Sequence, residues 1–160
     1  MQRARIAQDA FQKLKEKVDT LIAVPNDRIF GVIKKDTPIL KAFEYIDDVL
    51  RNSVHGITEL IAMPGIINVD FADVKAIMRD AGSAFVGIGI SAGQDRATTA
   101  VTQAVNSPLL ELSIDGAKGL LFAVSGGKDL RLNEIHDIAK VIAEAADSSA
   151  KIIFGAYQDR

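Results

Sequence analysis

Hydrophobic residues recur every three or four positions along much of the chain, and this spacing predicts helices. The first such stretch, from about Arg3 to Val18, predicts an amphipathic helix. A longer one follows Asp36-Thr37-Pro38, which offers an N-cap with proline just inside it. Its apolar stripe runs on to Pro64-Gly65 and consists of Ile39, Phe43, Ile46, Leu50, Val54, Ile57 and Ile61. We expect one helix of about 26 residues, roughly 39 Å long, as a spine between two bodies.

Shorter helices alternate with apolar runs in the rest of the chain. Three further helices are predicted, at Phe71–Asp80, Arg96–Val105 and Leu132–Ala146. Strands are predicted where short apolar runs are bounded by turn residues, at Asp19–Pro25, Ala84–Ile90, Gly119–Ser125 and Ala150–Tyr157. This alternation predicts an α/β class, with a layered α/β domain that begins near Asn68.

Composition and charge narrow the classes of function. Hydrophobic residues make up 48% and charged residues 25%, the balance of an ordinary soluble protein. The net charge of −2 provides no basic field, so no nucleic-acid partner is expected. The chain has no cysteine, and His55 and His136 are too few for a histidine site, so no thiolate or histidine metal site is expected. No apolar run suits a signal peptide or a membrane span, which predicts a cytoplasmic protein without membrane insertion.

The segment Gly65–Met78, with the sequence GIINVDFADVKAIM, places three short polar side chains within six positions: Asn68, Asp70 and Asp73. An aspartate at a helix N-cap, with an acidic residue three positions later, satisfies free backbone amides and suits the helix dipole. The same two aspartates also fit a catalytic or metal-binding carboxylate pair. Spacing alone leaves both interpretations open.

Two weaker patterns invite a nucleotide-binding interpretation. Phe43 and Asp47 lie four positions apart on one helix face, where a ring and a carboxylate can stack on a purine and accept its N–H donors. A core residue beside a surface charge is the commoner cause of that pattern. The run GIGISAG, Gly87–Gly93, follows a predicted strand as a dinucleotide-binding loop does, with Ala92 in place of the third glycine. Small residues at a strand-to-helix turn explain it more simply.

Taken in order, six stretches of the sequence resemble FtsZ, the bacterial relative of tubulin. They are DTLIAVPNDR, AFEYIDDVL, PGIINVDFADVKAIM, GIGISAGQDRA, SPLLELSIDGAKGLLFAVSGGKDL and AKIIFGA. The likeness covers essentially the whole chain, and NVDFADV is highly specific to that family. It implies a tubulin-like fold in which a long central helix is followed by a layered α/β activation domain with a mixed sheet. It also implies three parts: residues 1–35 from the nucleotide-binding half, 36–64 as the connecting helix and 65–160 as the activation domain.

The resemblance implies a cytoskeletal GTPase of cell division, whose subunits polymerise head to tail into a septal ring in the cytoplasm. In that family the loop after the central helix enters the nucleotide site of the next subunit. Asp70 and Asp73 would therefore orient and polarise the water that attacks GTP. Asn68 would help to position the loop. FtsZ subunits are the expected partners, with division-ring proteins as further candidates.

Four other positions match residues that contact the nucleotide in the family. Asn26 would hydrogen-bond to the guanine or its sugar, and Phe43 would stack on the base. Asp47 would accept guanine N–H groups, and Arg3 matches an arginine that contacts the nucleotide from the preceding helix. The implied cofactor is GTP or GDP, and any Mg²⁺ that accompanies it has no ligand identified among these residues.

The sequence also departs from the family pattern. It contains no glycine-rich GGGTGTG phosphate loop, and it ends before a strand that resembles RVTVIATG. We therefore expect an internal piece of FtsZ, which supplies the activating loop but is inactive alone. One alternative is a non-enzymatic truncated paralogue or fragment that caps or regulates FtsZ filaments. Another is an unrelated α/β nucleotide enzyme that uses GIGISAG.

Overall fold

A computed structural model describes residues 2–24, 28, 31, 33, 36–110 and 114–159. The helices are α1 (Gln2–Lys15), α2 (Ile39–Ala62), α3 (Phe71–Met78), α4 (Arg96–Val105) and α5 (Leu132–Ala145). The strands are β1 (Thr20–Ile22), β2 (Gly82–Ala84), β3 (Gly119–Gly126) and β4 (Lys151–Gln158), and a short 3₁₀ helix, Ile114–Gly116, precedes β3. All five predicted helices are present. None of the helices in the described ranges is both long enough and apolar enough to cross a membrane.

The strands pair in two small parallel sheets. β1 pairs with β2 over three residues, and β3 pairs with β4 over eight, from Gly119 opposite Lys151 to Gly126 opposite Gln158. An antiparallel bridge joins Ile67, in the loop after α2, to Ala156 of β4. The α/β class is therefore confirmed, and this bridge adds an antiparallel element to the larger, parallel pair.

The core lies between the β3–β4 sheet and α5. Its buried residues are Val124, Ile135 and Ala156, and Ile67, Phe122, Leu130, Ile138 and Phe154 pack against them. Phe122 and Phe154 are register partners on the two strands, and their rings stack with centroids 5.2 Å apart. Such cross-strand aromatic pairs add to the stability of a sheet. Because Ile67 packs against this cluster, the loop between α2 and α3 is anchored in the core.

The long helix α2 has 24 residues, which is about 36 Å of helix. One stripe along it is buried and consists of Ala42, Ile46, Val49, Ser53 and Leu60. Most of the stripe predicted from the sequence lies elsewhere on the helix and is exposed, as at Ile39, Phe43 and Val54. The helix therefore carries two apolar faces, and the described residues cover only one of them. The apolar surface of α2 is thus wider than the face that the described residues cover, which suits a helix that packs against more than one neighbour.

The strand predicted at Ala84–Ile90 lies earlier, at Gly82–Ala84, and residues 85–92 are outside both ladders. The cause is the close approach of this segment to α4. A Cβ atom would lie 2.1 Å from the Ala104 carbonyl oxygen at Gly87, and 1.8 Å from the Ala100 carbonyl oxygen at Gly89. Gly87 and Gly89 of GIGISAG thus serve helix packing in this fold. The strand predicted at Asp19–Pro25 is also shorter and covers Thr20–Ile22.

Candidate functional site

The loop between α2 and α3 docks on β4 through its backbone. The amides of Ile66 and Ile67 donate to the Ala156 carbonyl oxygen at 2.7 and 3.0 Å, and the Ala156 amide donates back to the Ile67 carbonyl at 3.0 Å. A Cβ atom on Gly65 would lie only 2.6 Å from the Ala156 carbonyl oxygen. Glycine is therefore required where the loop meets the strand. These contacts tie the position of the loop to the sheet.

Asn68 closes the turn that follows. Its Oδ1 atom accepts a hydrogen bond from the Gly65 amide at 2.7 Å. A side chain that bonds back to the backbone three residues earlier stabilises a tight turn without help from other elements. Asn68 therefore holds the shape of the loop from within.

Asp70 is the N-cap of α3. Its Oδ1 atom accepts from the Ala72 amide at 3.1 Å, and its carbonyl oxygen accepts from the amides of Asp73 and Val74 at 3.0 and 3.3 Å. Asp70 thus has the N-cap role that was one of the two interpretations left open by the sequence. The residue is exposed, so capping leaves the second carboxylate oxygen accessible.

Asp73 differs from Asp70, because its carboxylate has no role in the helix cap. It lies in the first turn of α3 and is exposed, while the next residue, Val74, is only 2% exposed and anchors the helix. Within the described part of the chain, no hydrogen bond or ion pair engages the Asp73 side chain. The positive end of the helix dipole favours a carboxylate there. Asp73 thus presents an unengaged charge from a fixed backbone.

Exposed apolar side chains lie close in sequence to the two carboxylates. Ile66 is 60% and Phe71 is 59% exposed, and Ile61 at the end of α2 is also exposed. Large apolar side chains that are exposed together favour contact with another macromolecule. The segment from Ile61 to Asp73 therefore has the character of a contact surface rather than of an enclosed pocket.

Two of the residues predicted to bind the nucleotide, Phe43 and Asp47, lie on α2 well before this loop. Phe43 and Asp47 share the exposed face of α2 one turn apart, and Phe43 is 51% exposed. From Phe43 to the end of α2 at Ala62 is about 28 Å along the helix axis. Arg3 is exposed on α1, and Asn26 lies outside the described residues. Phe43 and Asp47 thus lie in the amino half of α2, whereas the loop follows its carboxyl end.

A partly buried ion pair that the sequence analysis did not predict joins α4 to α5. Arg96 Nε lies 2.6 Å from Glu134 Oε1, and Arg96 Nη1 lies 2.6 Å from Asp129 Oδ2. Glu134 also accepts from the Arg131 amide at 2.8 Å and so caps α5. The hydrogen bonds from Arg96 and then from Arg131 lower the pKa of Glu134 to about 2, and the Arg96 pKa is raised. The sequence did offer one signal for this cap, because Glu134 lies three residues after the N-cap, Arg131, as the acidic residue of a capping box does.

A second network missed by the sequence analysis lies at the end of α2. His55 Nδ1 is 3.2 Å from Glu59 Oε2 on the same helix. Burial of the phenol, and then the nearby Glu59 carboxylate, raise the pKa of Tyr157 on β4 to about 12. Tyr157 and Glu59 are far apart in sequence, so no local pattern could have indicated that they come close. No cluster of three or more histidines or carboxylates that could bind a metal occurs in the described ranges.

Known proteins match the chain from end to end. The C-terminal domain of the FtsZ family matches residues 82–160. An empty FtsZ dimer from M. jannaschii superimposes with a TM-score of 0.89 and 44% identity, over 95% of this chain and 44% of that one. A tryptophan-to-tyrosine mutant of M. jannaschii FtsZ gives a TM-score of 0.90 and 44% identity, over 96% of this chain and 46% of that one. The chain thus spans less than half the length of these two structures, and its fold is that expected from the resemblance.

Proposed function

Because the chain belongs to the FtsZ family, we propose that its Gly65–Met78 segment completes the GTP-hydrolysis site of the next subunit in a head-to-tail polymer of cell division. The observation that carries this proposal is the Asp73 carboxylate, which is exposed and unengaged among the described residues on a loop anchored in the core. The helix dipole stabilises this carboxylate without a hydrogen bond, so both of its oxygens stay accessible. Asp73 is therefore available to a group that approaches from outside.

The chemistry suits two carboxylates and a rigid loop. In GTP hydrolysis an oxygen–phosphorus bond forms between water and the γ-phosphorus, while the bond to the bridging oxygen breaks and leaves GDP. Catalysis of this reaction depends mainly on position and electrostatics. Asp73 would accept a hydrogen bond from the attacking water, and the free oxygen of Asp70 would orient it. Asn68 would act indirectly, through its bond to the Gly65 amide.

Supply of these groups by a neighbouring subunit has a physical reason. Carboxylates close to a triphosphate repel it, so Asp70 and Asp73 would weaken binding if they belonged to the subunit that holds the nucleotide. Brought in by the next subunit, they act on the water only after assembly. The distance of about 28 Å along α2 between Phe43 and Ala62 is consistent with base contacts and an activating loop that serve two different nucleotide sites.

At the other end of α2 we propose the contacts that the resemblance implies. Phe43 would stack on guanine and Asp47 would accept its N–H groups, with Arg3 and Asn26 as further contacts. The described residues offer no metal cluster, so any Mg²⁺ would be bound through the nucleotide.

In this proposal residues 1–35 belong to the nucleotide-binding half, 36–64 form the connecting helix and 65–160 form the activation domain. The site of action would be the division ring in the cytoplasm.

The 160 residues alone should neither bind nor hydrolyse GTP appreciably. Phosphates are normally held by a loop of backbone N–H groups, and this sequence has no such glycine-rich loop. Titration of the purified chain with GTP checks this expectation. A dissociation constant in the low micromolar range, or steady turnover, would contradict it.

A second candidate function is that of a filament cap. The exposed Ile66 and Phe71 beside the two carboxylates favour it, because they offer an apolar contact to the nucleotide face of an FtsZ subunit. A chain that docks there without a complete nucleotide face of its own would stop further addition. Light scattering should then show less FtsZ polymer at equimolar chain, and unchanged polymer mass with a folded chain would exclude capping.

Dilute full-length FtsZ tests the main proposal. With FtsZ below the concentration at which it polymerises, excess chain should increase phosphate release from GTP, because each chain supplies one activating loop. Asp73→Ala should abolish the increase. Asp137→Ala, which removes an exposed carboxylate of α5, is the matched control and should retain it. No increase with the folded wild-type chain, or full activity of the Asp73 variant, would refute the proposal.

A further inference from the structure

The carboxyl end of α3 is bound to β1, a strand that lies much earlier in the chain. The last carbonyl groups of a helix have no donor within that helix. In α3 the final one, the Met78 carbonyl oxygen, accepts a hydrogen bond from the Thr20 hydroxyl. Thr20 is also the register partner of Gly82, where β1 and β2 begin to pair. One residue of β1 therefore contacts both the end of α3 and the start of the next strand.

Asp19, the residue before β1, holds the turn between α3 and β2. Its Oδ1 atom accepts from the Asp80 amide at 3.2 Å, and its carbonyl oxygen accepts from the Gly82 amide at 2.8 Å. Asp80 has a φ of 54°, a left-handed conformation that residues other than glycine rarely adopt. The two bonds from Asp19 hold the backbone in this conformation. The direction in which the chain leaves α3 is therefore set from β1.

The rest of α3 is held mainly by apolar packing. Val74 is only 2% exposed, and Ile77 Cγ2 would lie 3.3 Å from a Cβ atom on Gly119 of β3. Such packing is not directional, so it keeps the helix on the sheet but restricts rotation about the helix axis only weakly. Hydrogen bonds are directional. The bonds from Asp19 and Thr20 therefore fix the rotation of α3.

We propose that Asp19 and Thr20 are positioning residues for the activating loop, and that they act through α3. The helix has eight residues, about 12 Å, and Asp73 lies in its first turn. A rotation of α3 would displace the Asp73 carboxylate, and a small misplacement of a catalytic group is costly. In the division proposed above β1 belongs to the nucleotide-binding half, so both halves of one subunit would direct Asp73. This inference rests on the proposed function of the loop.

Four variants of the 160-residue chain separate the hydrogen bonds from the rest of each side chain. Two are loss variants, because Asp19→Ala removes the carboxylate acceptor and Thr20→Val replaces the hydroxyl by a methyl group. Two are rescue variants, because Asp19→Asn keeps an oxygen that can accept and Thr20→Ser keeps the hydroxyl.

Two control variants remove equivalent hydrogen bonds elsewhere in the chain. Asp147→Ala removes a carboxylate that accepts from the Ser149 amide at 2.7 Å in the turn after α5. Thr58→Val removes a hydroxyl that donates to the Val54 carbonyl oxygen at 2.8 Å within α2. Neither bond involves α3, so both variants should behave as the wild-type chain in the measurements that follow.

Amide hydrogen exchange gives the first measurement. Each loss variant should speed exchange of the Asp73 and Val74 amides about fivefold, as loss of one hydrogen bond predicts. These two amides bond to the Asp70 carbonyl oxygen, at the opposite end of α3 from the substitution. The ladder amides of β3 and β4 should change less than about twofold, because the opening is local. The rescue variants should stay near the wild-type rates.

Two results of hydrogen exchange would overturn the proposal. Faster exchange at the Arg79 amide alone, which bonds to the Lys75 carbonyl oxygen at 2.9 Å, would show that only the last turn of α3 opens. An equal rise in α3 and in the β3–β4 ladder would show that Asp19 and Thr20 merely stabilise the whole fold.

Phosphate release by dilute FtsZ with added chain gives the second measurement. The loss variants should lower the maximal release several-fold, and the rescue variants should restore it. The chain concentration for half-maximal release should stay unchanged, because docking is intact. If Asp73→Ala abolishes release but the loss variants release phosphate as the wild-type chain does, the positioning role is wrong and the proposed function stands. If Asp73→Ala leaves release unchanged, the proposed function fails, and the positioning role fails with it.

Discussion

The two ends of α2 differ in how much of their surroundings this chain provides. At the carboxyl end Leu60 is buried, and the following loop is bound to β4 at Ala156. At the amino end Ile39 and Phe43 are 70% and 51% exposed. One end therefore carries a site whose backbone is fixed within the chain, whereas the other carries side chains that need a further surface.

This difference teaches how one helix can serve two sites. The predicted catalytic loop owes its geometry to contacts inside these 160 residues, so its integrity can be tested on the chain alone. The predicted base contacts at Phe43 and Asp47 have no comparable support among the described residues. Changes at the amino end should therefore affect nucleotide binding, whereas changes at the carboxyl end should affect the rate of GTP hydrolysis.

The largest expected effect lies at the loop. In a full-length FtsZ that carries this segment, Asp70→Ala and Asp73→Ala should each lower GTP turnover at least ~100-fold, a loss of about 2.7 kcal/mol in transition-state stabilisation. The affinity of the monomer for GTP should hardly change, because these residues serve the neighbouring site. Steady-state turnover and nucleotide titration measure the two quantities. If GTP turnover and monomer affinity fell equally, the aspartates would belong to the nucleotide site of their own subunit, and the prediction would be wrong.

The second prediction compares a glycine within α2 with a glycine in the loop that follows it. Gly65→Ala should destabilise the chain by about 1–3 kcal/mol, because its Cβ would overlap the Ala156 carbonyl oxygen. At Gly56, in the middle of the helix, a Cβ meets nothing within 4 Å, and Gly56→Ala should stabilise by about 1 kcal/mol. Urea unfolding measures both changes. Similar shifts for the two variants would show that the loop is not tightly docked.

A smaller effect is expected far from both ends, at the link between α4 and α5. The Glu134 pKa is lowered from 4.5 to about 2 in the folded chain, so the ionised form stabilises the fold. That contribution is present above about pH 4.5 and is lost as the pH falls toward 2. Glu134→Gln should flatten the dependence of unfolding free energy on pH in this window. Glu144→Gln, at an exposed glutamate 3.9 Å from Lys140, should leave it unchanged.

Local patterns were sufficient to predict the helices and the loop. The stripe from Ile39 to Ile61 correctly indicated one long helix, because spacings of 3 and 4 are specific to helices. It could not indicate which face is covered, since α2 is apolar on two sides. Most of the predicted stripe is exposed, and the buried stripe includes Ala42 and Ser53, which contribute little to a hydrophobic pattern.

Features that depend on contacts distant in sequence could not be predicted. The strand expected at Ala84–Ile90 was misplaced because Gly87 and Gly89 pack on α4, and a sequence of alternating glycine and isoleucine fits either arrangement. The pairing of Arg96 with Glu134 joins two helices that only the fold brings together. The roles predicted for Asn68, Asp70 and Asp73 remain predictions, although their geometry is consistent with them.

The measurement that tests the central claim most directly is complementation between two full-length FtsZ variants that carry this segment. Asp47→Ala impairs the nucleotide end and leaves the loop intact, whereas Asp73→Ala does the reverse. In an equimolar mixture, random head-to-tail contacts should pair an intact nucleotide end with an intact loop at about a quarter of the interfaces. We therefore predict that the mixture recovers about a quarter of wild-type GTP turnover, although each variant alone has little. Turnover equal to the average of the two variants measured separately would contradict a site shared between subunits.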